Sequence, residues 1–235
     1  MLAHRLMGSS GGGGAVGPVS GGGAVGPVSC TFTDSSVSTA DSTAYTFSSQ
    51  DFGEAAANRY IVVTAGGYDT GNETVSSITI GGVAATIAVQ VTGNFVTAAI
   101  AIAKVPTGAT GDVVVTFSGG MQNAGIGVYR LINLQSATAT DTGTDIAESS
   151  GALADGLTIP ADGCGIGYVC VRTVSSLSTF SWTNLTESFD QTIENITFSR
   201  TSHSGAISST AGTATRTATA SVSLDNEAMV LAAWR

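Results

Sequence analysis

Residues 213–224, TATRTATASVSL, alternate with a period of two. Thr213, Thr215, Thr217, Thr219, Ser221 and Ser223 fall on one side, and Ala214, Ala218, Ala220, Val222 and Leu224 on the other, with Arg216 the one charge among them. Successive side chains of a strand point to opposite faces, so the segment reads as a strand with a hydroxyl face to water and a small apolar face to a core. The same period recurs in FVTAAIAIA (95–103), where Val96, Ala98, Ile100 and Ile102 share a face, in GDVVVTFSGG (111–120) and in GIGVYRLIN (125–133). RYIVVTAGG (59–67) and EAMVLAAWR (227–235) are continuous apolar runs apart from Thr64 and their terminal charges, as in central strands covered on both faces. Gly-rich turns separate these runs. The pattern predicts an all-β chain of about ten to twelve strands, a single jelly-roll-like β-sandwich over residues 30–235. Its last strand is inserted between others. Residues 133–156 are expected to be a long loop or a domain boundary.

Composition narrows the functional classes. Charged residues make up 11% of the chain, against roughly 25% in ordinary soluble domains, and Ser and Thr fill roughly a quarter. Lys104 is the only lysine and the net charge is −9. Phosphate binding needs clustered cations, and the arginines are scattered, so no nucleic-acid partner is expected. No run approaches the roughly 20 apolar residues of a membrane helix, and the first residues lack the apolar stretch of a secretory signal. A chain built like an extracellular protein yet without an export signal fits release by lysis as part of a virion.

Residues 12–20, GGGAVGPVS, are repeated unchanged at 21–29. Residues 1–29 are read as an anchor followed by a Gly-rich arm. Leu2, Arg5 and Leu6 would lock its end. Val16, Val19, Val25 and Val28 offer equivalent pairs of small anchors, and two equal copies suit two equivalent pockets in a symmetric assembly; the alternative is a plain Gly-rich spacer duplicated by slippage.

Few residues carry chemistry. Cys164 and Cys170 are six residues apart on one strand, about 20 Å, too far to bridge, and are read as buried small hydrophobes. His203, in SRTSHSGA, is read as an exposed loop histidine. Glu187 and Asp190 are the nearest approach to an acid–base pair, and are read as an acidic hairpin end. The Asp69–Asn72–Glu73 and Asp141–Asp145–Glu148 groups could offer oxygens to calcium, but match no metal pattern. No metal or cofactor is expected. Phe180 and Trp182 project from one strand face, either to cover a sheet or to stack on a sugar ring.

VSSITIGGVAATIAVQV, VPTGATGDVVVTFSGG, GIGVYRLINL and the closing AMVLAAWR resemble small Gly-, Ala- and Thr-rich β proteins encoded among the structural genes of tailed bacteriophages, over residues 44–235. The resemblance implies a non-enzymatic virion component: a tail-fibre, tail-tip or head-decoration protein, homo-oligomeric, contacting other tail or capsid proteins and contributing to host attachment. The alternatives are a jelly-roll carbohydrate-binding module, with Phe180, Trp182 or the Thr-rich sheet on a host surface glycan, and, further off, a glycan-degrading enzyme.

Overall fold

A computed structural model describes residues 26–148, 151–174, 176–196, 199–221 and 225–235. The expected anchors Leu2, Arg5, Leu6, Val16, Val19 and Val25 lie outside the described residues, as do Val222, Ser223 and Leu224. The described chain is all strand and turn. In order the strands are β1 (Ser29–Ser38), β2 (Ser42–Asp51), β3 (Tyr60–Tyr68), β4 (Val75–Ile80), β5 (Val83–Ala84), β6 (Thr86–Gly93), β7 (Val96–Lys104), β8 (Thr110–Met121), β9 (Asn123–Ile132), β10 (Asp141–Ala147), β11 (Ala152–Ile159), β12 (Cys164–Thr173), β13 (Phe180–Thr183), β14 (Thr186–Ile196), β15 (Ser199–Ser208), β16 (Gly212–Ala220) and β17 (Asn226–Trp234).

These strands build four sheets, ordered β2-β8-β4-β5, β1-β9-β3-β7-β6, β10-β17-β12-β15-β14 and β11-β16-β13. Three apolar layers fix how the sheets stack. Phe47, Ile78 and Val115 of the first sheet meet Ile61, Ala101 and Ile126 of the second. The other face of the second sheet, through Val62, Ile100 and Leu131, meets Ile166, Val230 and Trp234 of the third. The remaining face of the third, through Val169 and Leu231, meets Leu157 and Ala218 of the fourth. The molecule is therefore four layers deep, each about 10 Å from the next. The two middle sheets are covered on both sides, which is why β3, β7, β12 and β17 are apolar almost without interruption. As expected, β17 is a central strand and β16 alternates, with Thr213, Thr215 and Thr219 exposed and Ala218 and Arg216 buried.

The sandwich class expected from the sequence holds, but there are two sandwiches and they have the same topology. With β5 and β6 taken as one strand broken at Ala85, β1, β2, β3, β4, β6, β7, β8 and β9 correspond in order to β10, β11, β12, β13, β14, β15, β16 and β17. Sheet order β1-β9-β3-β7-β6 then matches β10-β17-β12-β15-β14, and β2-β8-β4 matches β11-β16-β13. Each half is a jelly-roll arrangement closed on its own core. The middle sheets meet through equivalent strands: β6 touches β10 and β17, and β14 touches β1 and β9. That is the isologous pattern of a two-fold interface, here within one chain.

The strands also define two ends. Val28 N–H donates to the Asp162 carbonyl at 2.8 Å, Gln135 N–H to the Arg235 carbonyl at 2.8 Å, and Arg235 pairs with Asp162 at 3.3 Å. The root of the N-terminal arm, the linker between halves and the C-terminus thus share one end, the arm end. At the far end, Tyr68 pairs with Val96 and Asn123, and Thr173 with Arg200.

Three expectations are corrected. Val28 is not part of a free arm: it is 6% exposed and packs in the central layer. Residues 133–156 are not one long loop: 133–140 form the linker between the two halves, the boundary that was the other expectation, and β10 and the start of β11 follow. His203 is not in a loop but inside β15, fully buried.

Candidate functional site

The far end carries the features of a contact surface. Six large apolar side chains are conspicuously exposed among the described residues, and five of them, Val37, Phe95, Ile146, Val174 and Ile196, lie at or just beyond far-end strand termini. Only Val83 lies toward the arm end. Phe95 is 42% exposed and Ile196 52%, each on the hairpin that joins the equivalent strand pairs β6–β7 and β14–β15. Ile146 packs beside Gly93, so it adjoins the Phe95 hairpin.

The Phe95 turn is built against conformational preference. Asn94 and Phe95 have φ of 46° and 74°, both positive, as in the two-residue turn that favours Asn-Gly. A bulky residue there is strained. The strain is held by two bonds: Phe95 N–H donates to Asn72 Oδ1 at 3.0 Å, and Asp69 N–H donates to the Phe95 carbonyl at 3.0 Å. Asn94 also bonds Glu148. The ring thus stands partly in water on a turn whose backbone is strained.

Beneath the surface a polar network joins the halves. Asn123, fully buried at the start of β9, accepts from Tyr68 N–H at 3.2 Å and donates to Glu194 Oε2 at 2.8 Å and Thr201 Oγ1 at 3.1 Å. Glu194 and Thr201 belong to the other half. Carboxylates surround this end: Asp41, Asp69, Glu73, Glu148, Glu194 and Asp225 all lie there, and among the described residues Arg172 and Arg200 are the cations nearest them in the strand ends.

The sequence-selected chemistry is used otherwise. Phe180 is 8% exposed and packs with Trp182 in the layer between the outer and third sheets. Trp182 Nε1 donates to Ser204 Oγ at 2.9 Å. The pair covers the sheet, with Trp182 half-buried. Asp190 accepts from Phe180 N–H at 2.7 Å. Burial, then the Asp190 charge, raises the Glu187 carboxyl above its ordinary range, and burial does the same to Asp190. Neither residue lines the two larger cavities. One, of about 350 Å³, lies between Thr86–Ala88 and Ala137–Ala139. The other, of about 530 Å³, lies at the arm end among Phe52, Gly82, Val105 and Gly108.

The acidic groups read as calcium candidates instead cap backbone. Asp141 and Asp145 of β10 accept from Thr158 and Ala154 N–H at 2.7 and 2.8 Å, and Asp155 of β11 accepts from Thr144 at 2.7 Å. These carboxylates tie the edges of two sheets that share no ladder. Asp34 on β1 plays the same part toward Asp51 N–H at 2.9 Å. Asp69 caps Gly71, and Glu73 bonds Ser118. No group of three or more His, Cys, Asp or Glu that could hold a metal occurs among the described residues.

His203 faces the central layer, 3.2 Å from Tyr168 Oη through Nδ1 and ring to ring with Phe189 at 5.0 Å. Burial pushes its pKa down to about 3. The imidazole is a neutral packing element at physiological pH. Its Nδ1 partner is a tyrosine, not the carboxylate that orients the histidine of a triad.

The exposed apolar tips escaped the sequence reading because single Phe, Ile or Val residues beside turns look like ordinary strand ends. The one local signal was GNFV at 93–96, where a hairpin turn places Phe in the position glycine prefers. In comparisons with known proteins, no family model, curated protein or solved structure gives a significant match to this chain.

Proposed function

We propose that this chain is a structural surface component of a tailed-bacteriophage particle, mounted on tail or capsid by its N-terminal arm and contacting the host surface with its far end. The observation that carries the reading is the polarity of the molecule. The arm root lies at one end of the stack, and the exposed apolar residues, including the strained Phe95, gather at the other. Strands of nine or ten residues span about 30 Å, so the far end stands clear of whatever holds the arm. A surface of Ser, Thr and Gly with a single lysine also offers few tryptic sites. The resemblance to phage structural proteins points the same way.

The test is incorporation followed by adsorption. Purified particles should contain the chain in multiple copies. A Phe95→Gly/Ile196→Ser variant should be incorporated at normal level and adsorb to cells more weakly. Absence of the chain from purified particles would refute the proposal.

A second reading, glycan contact, rests on the outer face of β11-β16-β13. Thr213, Thr215, Thr217 and Thr219 form a row along β16, and Thr158 and Thr213 share a hydroxyl–hydroxyl bond at 2.9 Å across the ladder. Binding to a glycan array that survives Phe95→Gly but is lost in Thr215→Val/Thr217→Val would favour this face.

A further inference from the structure

Two of the three cysteines come together from different sheets. Cys30 lies near the start of β1 and Cys164 opens β12. Two residues before each of them, Val28 N–H donates to the Asp162 carbonyl at 2.8 Å. From that tie both chains run two residues further and enter facing sheets of the central layer. Cys30 packs on the apolar cluster that contains Cys164. It also lines a cavity with Ile207 and Ser208, and Ser208 is the ladder partner of Gly165, next to Cys164. The Cys164 side chain lies near enough to act on the Cys30 thiol more strongly than burial does. Cys170 is six residues further along β12, about 20 Å away. All three cysteines are free thiols.

We propose that Cys30 and Cys164 are a cross-link site, joined as a disulfide between the two middle sheets when the chain meets a low-molecular-weight disulfide in an oxidising medium. Access sets the order of events. Cys30 is half-buried and Cys164 buried, so the Cys30 thiol loses its proton and attacks one sulfur of the small disulfide. A mixed disulfide forms on Cys30 and one small thiolate leaves. The Cys164 thiol then loses its proton and attacks the Cys30 sulfur, forming the Cys30–Cys164 bond and expelling the second small thiolate. The protein gives up two electrons and two protons. The small disulfide takes the electrons and becomes two thiols. The bond would close a long loop through the first half and the linker, where a cross-link restricts the unfolded chain most. The neighbouring Cys164 thiol, then burial, raises the Cys30 thiol well above its ordinary range, so the reaction should be slow near neutrality and quicken in alkali.

The test incubates the full chain with oxidised glutathione at mildly alkaline pH, then alkylates free thiols in denaturant and measures intact mass. The expected product has lost two hydrogens and takes up one alkyl group, on Cys170. Trypsin should release residues 6–59 joined to residues 131–172. The join should persist in Cys170→Ser, and Cys164→Ser should stop at a glutathione adduct on Cys30. The melting temperature of the oxidised wild-type chain should rise and return on reduction with dithiothreitol. Three alkylated thiols after oxidation, a stable glutathione adduct on Cys30 of the wild-type chain, or a join that survives Cys164→Ser would each overturn the proposal. The mass measurement on the wild-type chain decides even if a variant fails to fold.

Discussion

Tyr68 and Arg172 meet between the two middle sheets at the far end, with the guanidinium carbon 5.1 Å from the ring centroid, and they hold the same position in the two halves. Each lies near the end of the third principal strand of its half, paired with the asparagine that opens the last strand, Asn123 for Tyr68 and Asn226 for Arg172. Equivalent residues that touch lie close to a two-fold axis. The two jelly rolls are thus related as the subunits of a symmetric dimer, fused by the linker at residues 133–140.

The link at that axis should be energetic as well as geometric. Asn123→Ala leaves Thr201 and the Tyr68 amide without their partner and removes a charge-assisted bond to Glu194. A loss of about 2–3 kcal/mol is expected in urea unfolding, with both halves still unfolding together. A loss below about 0.5 kcal/mol would show that the network does not hold the halves.

Arg59 should matter more than any other cation. It is fully buried, and its guanidinium donates to the carbonyls of Val105, Gly53, Thr107 and Gly108 at 2.6–2.8 Å and to Phe52 at 3.3 Å. It holds two loops at the arm end closed. Arg59→Met strands those carbonyls and should cost about 3 kcal/mol or more. Arg59→Lys should recover little, because one ammonium cannot reproduce the planar fork. Equal stability of the Lys variant and the wild-type chain would contradict this role.

Stability should fall with acid through His203. Its folded pKa is lowered to about 3, against about 6.5 when unfolded. Between those values the unfolded state binds the extra proton. The contribution is therefore whole above about pH 6.5 and is lost as pH falls toward 3, by at most about 1.4 kcal/mol per pH unit. Glu187 and Asp190, with raised carboxyl pKa, act in the opposite sense over the lower part of that range. The difference between wild type and His203→Asn isolates the histidine. Parallel stability–pH curves for the two would rule it out.

The β16 register gives a pair of opposite outcomes. Thr215→Val, on the exposed face, should change stability by less than about 0.5 kcal/mol. Ala218→Asp buries a charge at a site 2% exposed and should unfold the chain or come close to it. The reverse ranking in thermal melts would mean the strand is shifted by one residue.

Chelation should be silent. Asp141 and Asp145 already accept backbone N–H groups, so dialysis against EDTA should leave the melting temperature unchanged. A drop of about ten degrees, far more than the shift from 1 kcal/mol, would demand a metal.

How much could be read in advance follows from burial. β3, β7 and β17 were legible because strands covered on both faces must be apolar, and β16 because one wet face enforces alternation. β10 and β11 were not, since their edges are tied by Asp141, Asp145 and Asp155, and acidic residues among Gly and Thr look like loop. β15 misled because its faces oppose large rings. A Cβ at Gly125 would stand 2.6 Å from the His203 ring, so Ser, Gly and His serve as core there while reading as turn. The duplication was hidden because it lives in strand order and pairing, and equivalent positions such as Tyr68 and Arg172 share no chemistry. The far-end site was hidden for a related reason: its members come from five separate strand ends.

The mounting of the molecule is the claim that most needs a direct measurement. Two tagged forms, one with a short epitope inserted at the Asn94–Phe95 turn and one with it after Arg235, should be incorporated into particles and labelled with gold-conjugated antibody under the electron microscope. The account predicts label on intact particles from the Asn94–Phe95 tag and little or none from the tag at Arg235, which lies at the arm end. Label from the Arg235 tag with none from the Asn94–Phe95 tag would contradict it, as would particles that carry neither form.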